Sequence, residues 1–218
     1  VGSWGFRGLD LFVDRRVLIP RPETEQVVEH ALRELDGRTA GRHPRQRRVV
    51  VDLGTGSGAI ALAVAAERPG TEVWATDVSA GALEVAGANL AGLGGRPATT
   101  VRLVAGSWWG ALPAELRGRV DVAVSNPPYI ASGEMETLPP EVAGWEPRQA
   151  LEAGPSGLEA IHAIIGGARP WVSPGGALVV EIAPHQAEAA AAAAVEAGFV
   201  LVEVRPDLTG RPRVLVAG

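Results

Sequence analysis

Residues 49–58 read V-V-V-D-L-G-T-G-S-G. Four of the first five side chains are apolar and three are β-branched. That is the composition of a strand buried on both faces, as in parallel sheets. Gly54, Gly56 and Gly58 then allow a tight turn, and Ala59–Glu67 continues as a helix. A buried strand, a glycine turn and a helix form the first half of a βαβ unit, and the rest of the chain repeats the alternation.

Downstream, Glu72 to Asp77 (EVWATD) reads as a second strand, and Ser79 caps a helix running to about Leu90. Val101 to Ala105, Val120 to Ser125 and Ala177 to Ile182 read as further strands. Helices are expected over Gly157–Ala168 and over the Ala-rich stretch His185–Ala197, which ends at Gly198. Phe199 to Val204 and Arg213 to Val216 are the last two strands. Arg205 to Pro212 is too short to hold a crossover helix, so these two pair antiparallel. The expected fold is α/β and Rossmann-like: a seven-stranded, mostly parallel sheet with a reversed last strand and helices on both faces.

Upstream, Leu9 to Ile19 reads as two short extended pieces around Asp14-Arg15, a small N-terminal extended or hairpin segment. Pro20 and Pro22 end it. Pro22 suits the first turn of a helix over 22–35, with Val27, Val28, Ala31, Leu32 and Leu35 on one face. The expected division is a lead-in over residues 1–36, an extended segment and helix, and the main α/β domain over 37–218. Gly37 to Arg48 is a polar, basic loop, read as a solvated linker or, less simply, a phosphate contact.

Composition narrows the chemistry. The chain has 218 residues, 46% hydrophobic and 21% charged, with no cysteine and a formal net charge of −5. Thiolate metal sites, disulfides and a Cys nucleophile are excluded. All 20 basic residues are Arg, which excludes a Schiff-base or P-loop lysine. Residues 1–48 carry +3 and residues 49–218 carry −8, a poor balance for nonspecific nucleic-acid binding. His30, His43, His162 and His185 show no metal spacing, so no metal is expected. No apolar run is long enough to span a bilayer, and no membrane partner is expected.

Two stretches carry the chemistry. In D-L-G-T-G-S-G, residues Gly54, Thr55, Gly56, Ser57 and Gly58 let a ligand approach the backbone at a helix N-terminus. Asp77, at the end of the next strand, can accept both hydroxyls of an adenosine ribose. The pair signals a nucleoside-containing cofactor without choosing which. Ser125-Asn126-Pro127-Pro128-Tyr129 follows the fourth strand. Its prolines stiffen the turn and remove two donors. The Asn126 side-chain carbonyl, the Pro127 backbone carbonyl and the flat face of Tyr129 together suit a planar –NH2 group.

These two motifs resemble those of class I S-adenosylmethionine-dependent methyltransferases acting on amide or exocyclic amino nitrogens. V-L-I-P-R-P-E-T-E at 17–25 narrows the resemblance to the glutamine-N5 methyltransferases of peptide chain release factors, the HemK/PrmC family. So do Glu146-Pro147 with Ala150-Leu151, Gly157-Leu158, Pro174-Gly175-Gly176, Glu181 with Gln186, and Asp207 to Arg213. The match covers essentially the whole chain. It implies a cytoplasmic, monomeric enzyme acting on the Gln of a Gly-Gly-Gln loop, with no direct nucleic-acid partner. It implies that Gly54–Gly58 and Asp77 hold S-adenosylmethionine, leaving S-adenosylhomocysteine as product. Trp108 would lie against the adenine, and Asn126 would border both cofactor and substrate.

The implied catalytic residues are Asn126, Pro127 and Tyr129, with Pro128 and Arg21 also meeting the substrate. Arg21 and Glu23 are equally readable as capping and ion-pair groups, and Glu146 is similarly open. Trp4, Trp145 and Trp171 are read as packing. Two departures from the family pattern stand out: Ser107 occupies a position where the family commonly has Asp, and the helical domain that usually precedes residue 17 is not in this sequence. The expected reaction is in-line attack of an amide nitrogen on a sulfonium methyl, helped by orientation and charge stabilisation rather than by a strong base. The alternatives are an adenine or guanine exocyclic-amino methyltransferase of nucleic acid, a paralogue acting on another protein, a nicotinamide oxidoreductase using the same glycine turn, and a binding module that keeps only the fold.

Overall fold

A computed structural model describes residues 2–37, 47–93, 95 and 97–218. The basic loop singled out above falls largely on residues 38–46, outside the described residues.

The chain opens with a hairpin, β1 (Gly2–Phe6) against β2 (Leu9–Val13), antiparallel with Phe6 opposite Leu9. Its two turn residues, Arg7 (φ 45°) and Gly8 (φ 76°), both have positive φ, as a type I′ turn requires. This differs from the extended pieces expected on either side of Asp14-Arg15. Only the first piece is a strand. Asp14 instead turns the chain, accepting Arg16 N–H on Oδ1 and Val17 N–H on its carbonyl.

Helix α1 (Pro22–Gly37) follows, with Thr24, Val27, Val28, Ala31, Leu32 and Leu35 buried along one stripe. The main sheet is built from β3 (Val49–Leu53), β4 (Glu72–Asp77), β5 (Val101–Ala105), β6 (Val120–Ser125), β9 (Val172–Glu181), β10 (Val202–Pro206) and β11 (Pro212–Ala217). A minor pair, β7 (Ile130–Ala131) with β8 (Glu152–Gly154), lies in the connection between β6 and β9. The longer helices are α2 (Ala59–Glu67), α3 (Ala80–Leu93), α4 (Glu159–Gly167) and α5 (Ala187–Glu196).

The sheet order is β10-β11-β9-β6-β3-β4-β5. β11 runs antiparallel to both its neighbours, while β9, β6, β3, β4 and β5 are mutually parallel. The expected seven-stranded sheet with a reversed last strand is therefore the one formed. The tight β10–β11 link is held by Asp207, whose Oδ1 accepts Thr209 N–H, Thr209 O–H and Arg211 N–H.

Alternation along β3 explains the two-sided core. Val50 faces the cluster holding α1 and α2, while Val49, Val51 and Leu53 face the cluster holding α4 and α5. β9 begins at Val172, five residues before the apolar stretch suggested. Trp171 is buried and stacks on Trp109 with ring centroids 6.2 Å apart, and Arg15 lies over Trp145. Trp4, by contrast, stays exposed on β1. No helix among the described residues is long and apolar enough to cross a membrane.

Candidate active site

The strand order reverses beside β3: β4 lies on one side and β6 on the other. Loops leaving the carboxyl ends of β3 and β6 diverge there and leave a crevice. Ser125 Oγ donates to the Leu53 carbonyl at 2.6 Å and fixes the two strand ends together.

The first wall is the glycine turn. Gly54, Gly56 and Gly58 have φ of 75°, 57° and 85°. Gly54 and Thr55 both donate their N–H to the Thr76 carbonyl, at 2.9 and 2.8 Å. Asp52 is fully buried beneath the turn, and its Oδ2 accepts Thr55 O–H at 2.6 Å and Ala61 N–H at 3.2 Å. Oδ1 has no partner, and burial pushes this carboxyl up to about 7. Asp77 holds the turn from the side, taking Gly56 N–H on Oδ2 and Ser79 N–H on Oδ1, both at 2.9 Å.

Trp108 closes this wall from above. It adopts φ 43°, and a Cβ on Gly54 would lie 3.2 Å from its Cζ3. Asn89, on α3, supports the turn from behind. It donates to the Ser57 carbonyl at 2.8 Å while pairing with both backbone groups of Phe12 in the hairpin.

The second wall is the turn after β6. Asn126 Nδ2 donates to Thr24 Oγ1 at 3.0 Å, and Thr24 Oγ1 donates to Glu181 Oε2 at 2.8 Å. Asn126 Oδ1 is buried and has no partner. Gln186 clamps the turn: its Nε2 donates to the Tyr129 and Gly157 carbonyls at 3.0 and 2.9 Å. Its Oε1 accepts Ala183 N–H at 3.0 Å. Gly157 must lack a side chain, because a Cβ there would sit 2.8 Å from the Tyr129 carbonyl. The Tyr129 phenol is raised above its ordinary value by burial. Glu181, 1% exposed at the end of β9, is pushed up to about 7 by burial.

One cavity of ≈ 400 Å³ lies between these walls, within the range of small-molecule sites. Gly54, Thr55, Gly56, Ser57, Asp77, Trp108, Asn126 and Pro128 all line it. Gly58, Pro127, Tyr129 and Arg21 lie outside its lining. Gly58 precedes α2 as its N-cap, and Pro127 is buried. Arg21 is engaged in an ion pair, its Nη2 lying 2.7 Å from Glu146 Oε1, while Glu146 also accepts Ile19 N–H. Thr24 and Glu181 are absent from the sequence-derived candidates. Both lie in stretches that carry the family resemblance, Thr24 inside V-L-I-P-R-P-E-T-E and Glu181 together with Gln186, but the sequence assigns neither of them a site role. No group of three or more His, Asp or Glu that could hold a metal lies among the described residues.

A doubly wound sheet with a reversed last strand, a glycine turn, an acid ending the next strand and an N-P-P-Y turn across the crevice together define a class I S-adenosylmethionine-dependent methyltransferase. The model of the "Methyltransferase small domain" family matches residues 38–139. The chain belongs to the release factor glutamine methyltransferase family. It is 44% identical over 217 residues to the release factor glutamine methyltransferase of Cereibacter sphaeroides, covering 100% of this chain and 72% of that protein. It is 48% identical over 198 residues to that of Bordetella pertussis, covering 91% and 68%. Among solved structures, a methyltransferase from Pyrococcus furiosus superposes with TM-score 0.63 at 21% identity, over 96% of this chain and 88% of that one. The N-terminal domain of human METTL16 in complex with SAH gives 0.63 at 19% identity, over 97% and 76%. These structures share the fold.

The residues present suit the cofactor of that class. The Trp108 ring packs close against Gly54, 3.2 Å from where a Cβ would lie, and both residues line the cavity, so a flat ring and bare backbone border the space for the cofactor. The Asp77 carboxylate, held by two backbone donors, keeps lone pairs for hydroxyl groups at the cavity wall.

Proposed function

We propose that this chain methylates the side-chain amide nitrogen of a glutamine in a peptide chain release factor, at the Gln of a Gly-Gly-Gln loop. The observation that carries the reading is Asn126, which lines the cavity together with Gly54 and Asp77 and holds a buried Oδ1 with no hydrogen-bond partner. The names of the relatives supply the substrate class.

Gly54, Thr55, Gly56, Ser57, Asp77 and Trp108 would hold S-adenosylmethionine, which when bound supplies an electrophilic methyl on a sulfonium. Asn126 Oδ1 and the Pro127 carbonyl would accept the two N–H bonds of the glutamine amide. That orients the nitrogen lone pair and favours the positive charge growing on it. Pro128 and Tyr129 would bound the amide plane, and Arg21 would lie at the substrate side. No side chain needs to act as a strong base, because the nitrogen becomes acidic only as the bond forms. Residues 1–36 lead into a catalytic domain over 37–218 and contribute Thr24 to it. We take the acting unit to be a monomer, as the family resemblance implies. A translation factor as substrate puts the reaction in the cytoplasm.

The test is mass spectrometry of a release factor incubated with this chain and methyl-labelled S-adenosylmethionine. Label on the loop glutamine is expected. Label on DNA or RNA with none on the factor would overturn the reading in favour of a nucleic-acid substrate.

A further inference from the structure

Thr24, Asn126 and Glu181 come from α1, the β6 turn and the end of β9, and form one unbranched hydrogen-bonded chain. Asn126 Nδ2 donates to Thr24 Oγ1 at 3.0 Å, which donates to Glu181 Oε2 at 2.8 Å. Glu181 is 1% exposed, so water does not compete for it, and Thr24, 3% exposed, borders the cavity. Thr24 has a single hydroxyl proton. If it goes to Glu181, Thr24 can only accept from Asn126, and the amide must turn its NH2 inward and leave Oδ1 free. If it goes to Asn126 Oδ1, the amide turns over and offers NH2 to the substrate. An ionised carboxylate accepts only, and a hydrogen bond to it is roughly twice as strong as a neutral one. The first arrangement wins while Glu181 is charged.

We propose that Thr24 and Glu181 are positioning residues for methyl transfer: Glu181 sets the direction of the Thr24 hydroxyl, and Thr24 thereby sets which end of the Asn126 amide meets the substrate. This rests on the proposed role of Asn126 in gripping the glutamine amide. The device acts on orientation, so it changes turnover and leaves cofactor affinity alone.

The surroundings of Glu181 make the device sensitive to pH. Burial pushes its carboxyl up to about 7, the Thr24 hydroxyl, Arg213 on β11 and Arg21 pull it down, and Glu23 on α1 pushes it up. The charge of the same carboxylate adds to the rise of the Tyr129 phenol in the β6 turn. Once protonated, Glu181 can donate to Thr24 and release the Thr24 proton toward Asn126 Oδ1.

The test combines Thr24→Val, Thr24→Ser, Glu181→Gln and Asn126→Ala in the full chain. Turnover would be measured on a release factor as kcat and KM across pH, with cofactor affinity by calorimetry to count competent molecules. Thr24→Val should lower kcat about tenfold to a hundredfold, the scale of a misaligned reacting group, with both KM values and cofactor affinity near wild type. Thr24→Ser, which keeps the hydroxyl, should return to within about threefold of wild type. Glu181→Gln should hold turnover at its low-pH level throughout and lose the acidic limb near neutrality. Unchanged kcat in Thr24→Val, no rescue by Thr24→Ser, or an acidic limb that survives Glu181→Gln would each overturn the proposal. Asn126→Ala separates the two ideas. If it is inactive while Thr24→Val is normal, only the positioning chain fails. If it turns over normally, the amide grip fails as well.

Discussion

Asp77 Oδ2 accepts the backbone N–H of Gly56 at 2.9 Å, so the acid ending β4 is tied to the middle of the glycine turn leaving β3. The bond spans the two adjacent strand ends and gives Asp77 two roles: it shapes the turn, and it presents its remaining lone pairs to the cavity. Asp77→Ala should remove both. Hydrogen bonds to a charged group contribute about 1.5–3 kcal/mol each, so cofactor affinity should fall about tenfold to a hundredfold or more. Calorimetry with S-adenosylmethionine checks it, and unchanged affinity would refute the ribose assignment.

Gly54 is constrained twice, by φ 75° and by the Trp108 ring 3.2 Å from where a Cβ would lie. Gly54→Ala should therefore cost about 1 kcal/mol or more in stability from the backbone alone. It should also push Trp108 off the turn and disturb the cavity that both residues line. The expected outcome is a modestly lowered melting temperature with a much larger loss of cofactor affinity. Gly70→Ala, at φ 90° with open space around its Cβ, is the control for strain without displacement of Trp108.

Asn89 links the hairpin to the cofactor turn, pairing with Phe12 N–H at 2.7 Å and the Ser57 carbonyl at 2.8 Å. Asn89→Ala leaves one backbone donor and two acceptors without these partners. At about 0.5–1.5 kcal/mol per bond, the loss in stability should be about 2–4 kcal/mol. Hydrogen exchange should quicken in both the 9–13 strand and the 54–58 turn. Faster exchange in the strand alone would show that the two are not coupled through Asn89.

What the sequence revealed depended on how local the physics is. The β3 turn and Asp77 were readable because a few adjacent residue types supply both the backbone freedom and the carboxylate. The hairpin was misplaced because its turn puts an Arg where a type I′ turn favours Asn, Asp or Gly. Arg7 is held there by Glu67 at 2.5 Å and Glu29 at 3.2 Å, partners 60 and 22 residues away. The pairing of Thr24 with Glu181 is not legible for the same reason, although both lie in stretches that carry the family resemblance: 157 residues separate them, and only the docking of α1 over β6 and β9 brings them together. Their types are ordinary, and only their burial beside the cavity makes the pair consequential.

Two buried carboxyls should leave a signature in stability against pH. Burial raises Asp52 and Glu181 to about 7 in the folded chain, from ordinary values of 3.8 and 4.5. Between those limits the folded state holds more protons than the unfolded state, so stability is greatest below the window and falls as pH rises through it. Each group contributes a slope of at most about 1.4 kcal/mol per pH unit. Denaturant melts from pH 5 to 8 should show the decline, and Asp52→Asn should flatten part of it. A rise in stability across that range in the wild type, with no change in Asp52→Asn, would mean that neither group is protonated in the fold.

Arg21 and Glu146 join the segment before α1 to the loop after the β6 turn, with Nη2 2.7 Å from Oε1. The Glu146 side chain is 2% exposed and that of Arg21 35%. Burial raises the Glu146 carboxyl, and Arg21 and the Ile19 N–H oppose it. Breaking a fully buried pair costs about 3–5 kcal/mol, because one charge is left alone. Solvent around Arg21 reduces that, so Arg21→Ala should destabilise by about 1–3 kcal/mol. Combining it with Glu146→Gln removes the stranded charge and should recover most of the stability. The double variant then isolates the proposed contact of Arg21 with substrate. If that contact exists, KM for a release factor stays raised although stability has returned and cofactor affinity is normal. If KM returns with stability, Arg21 serves only to seat the segment that carries Thr24.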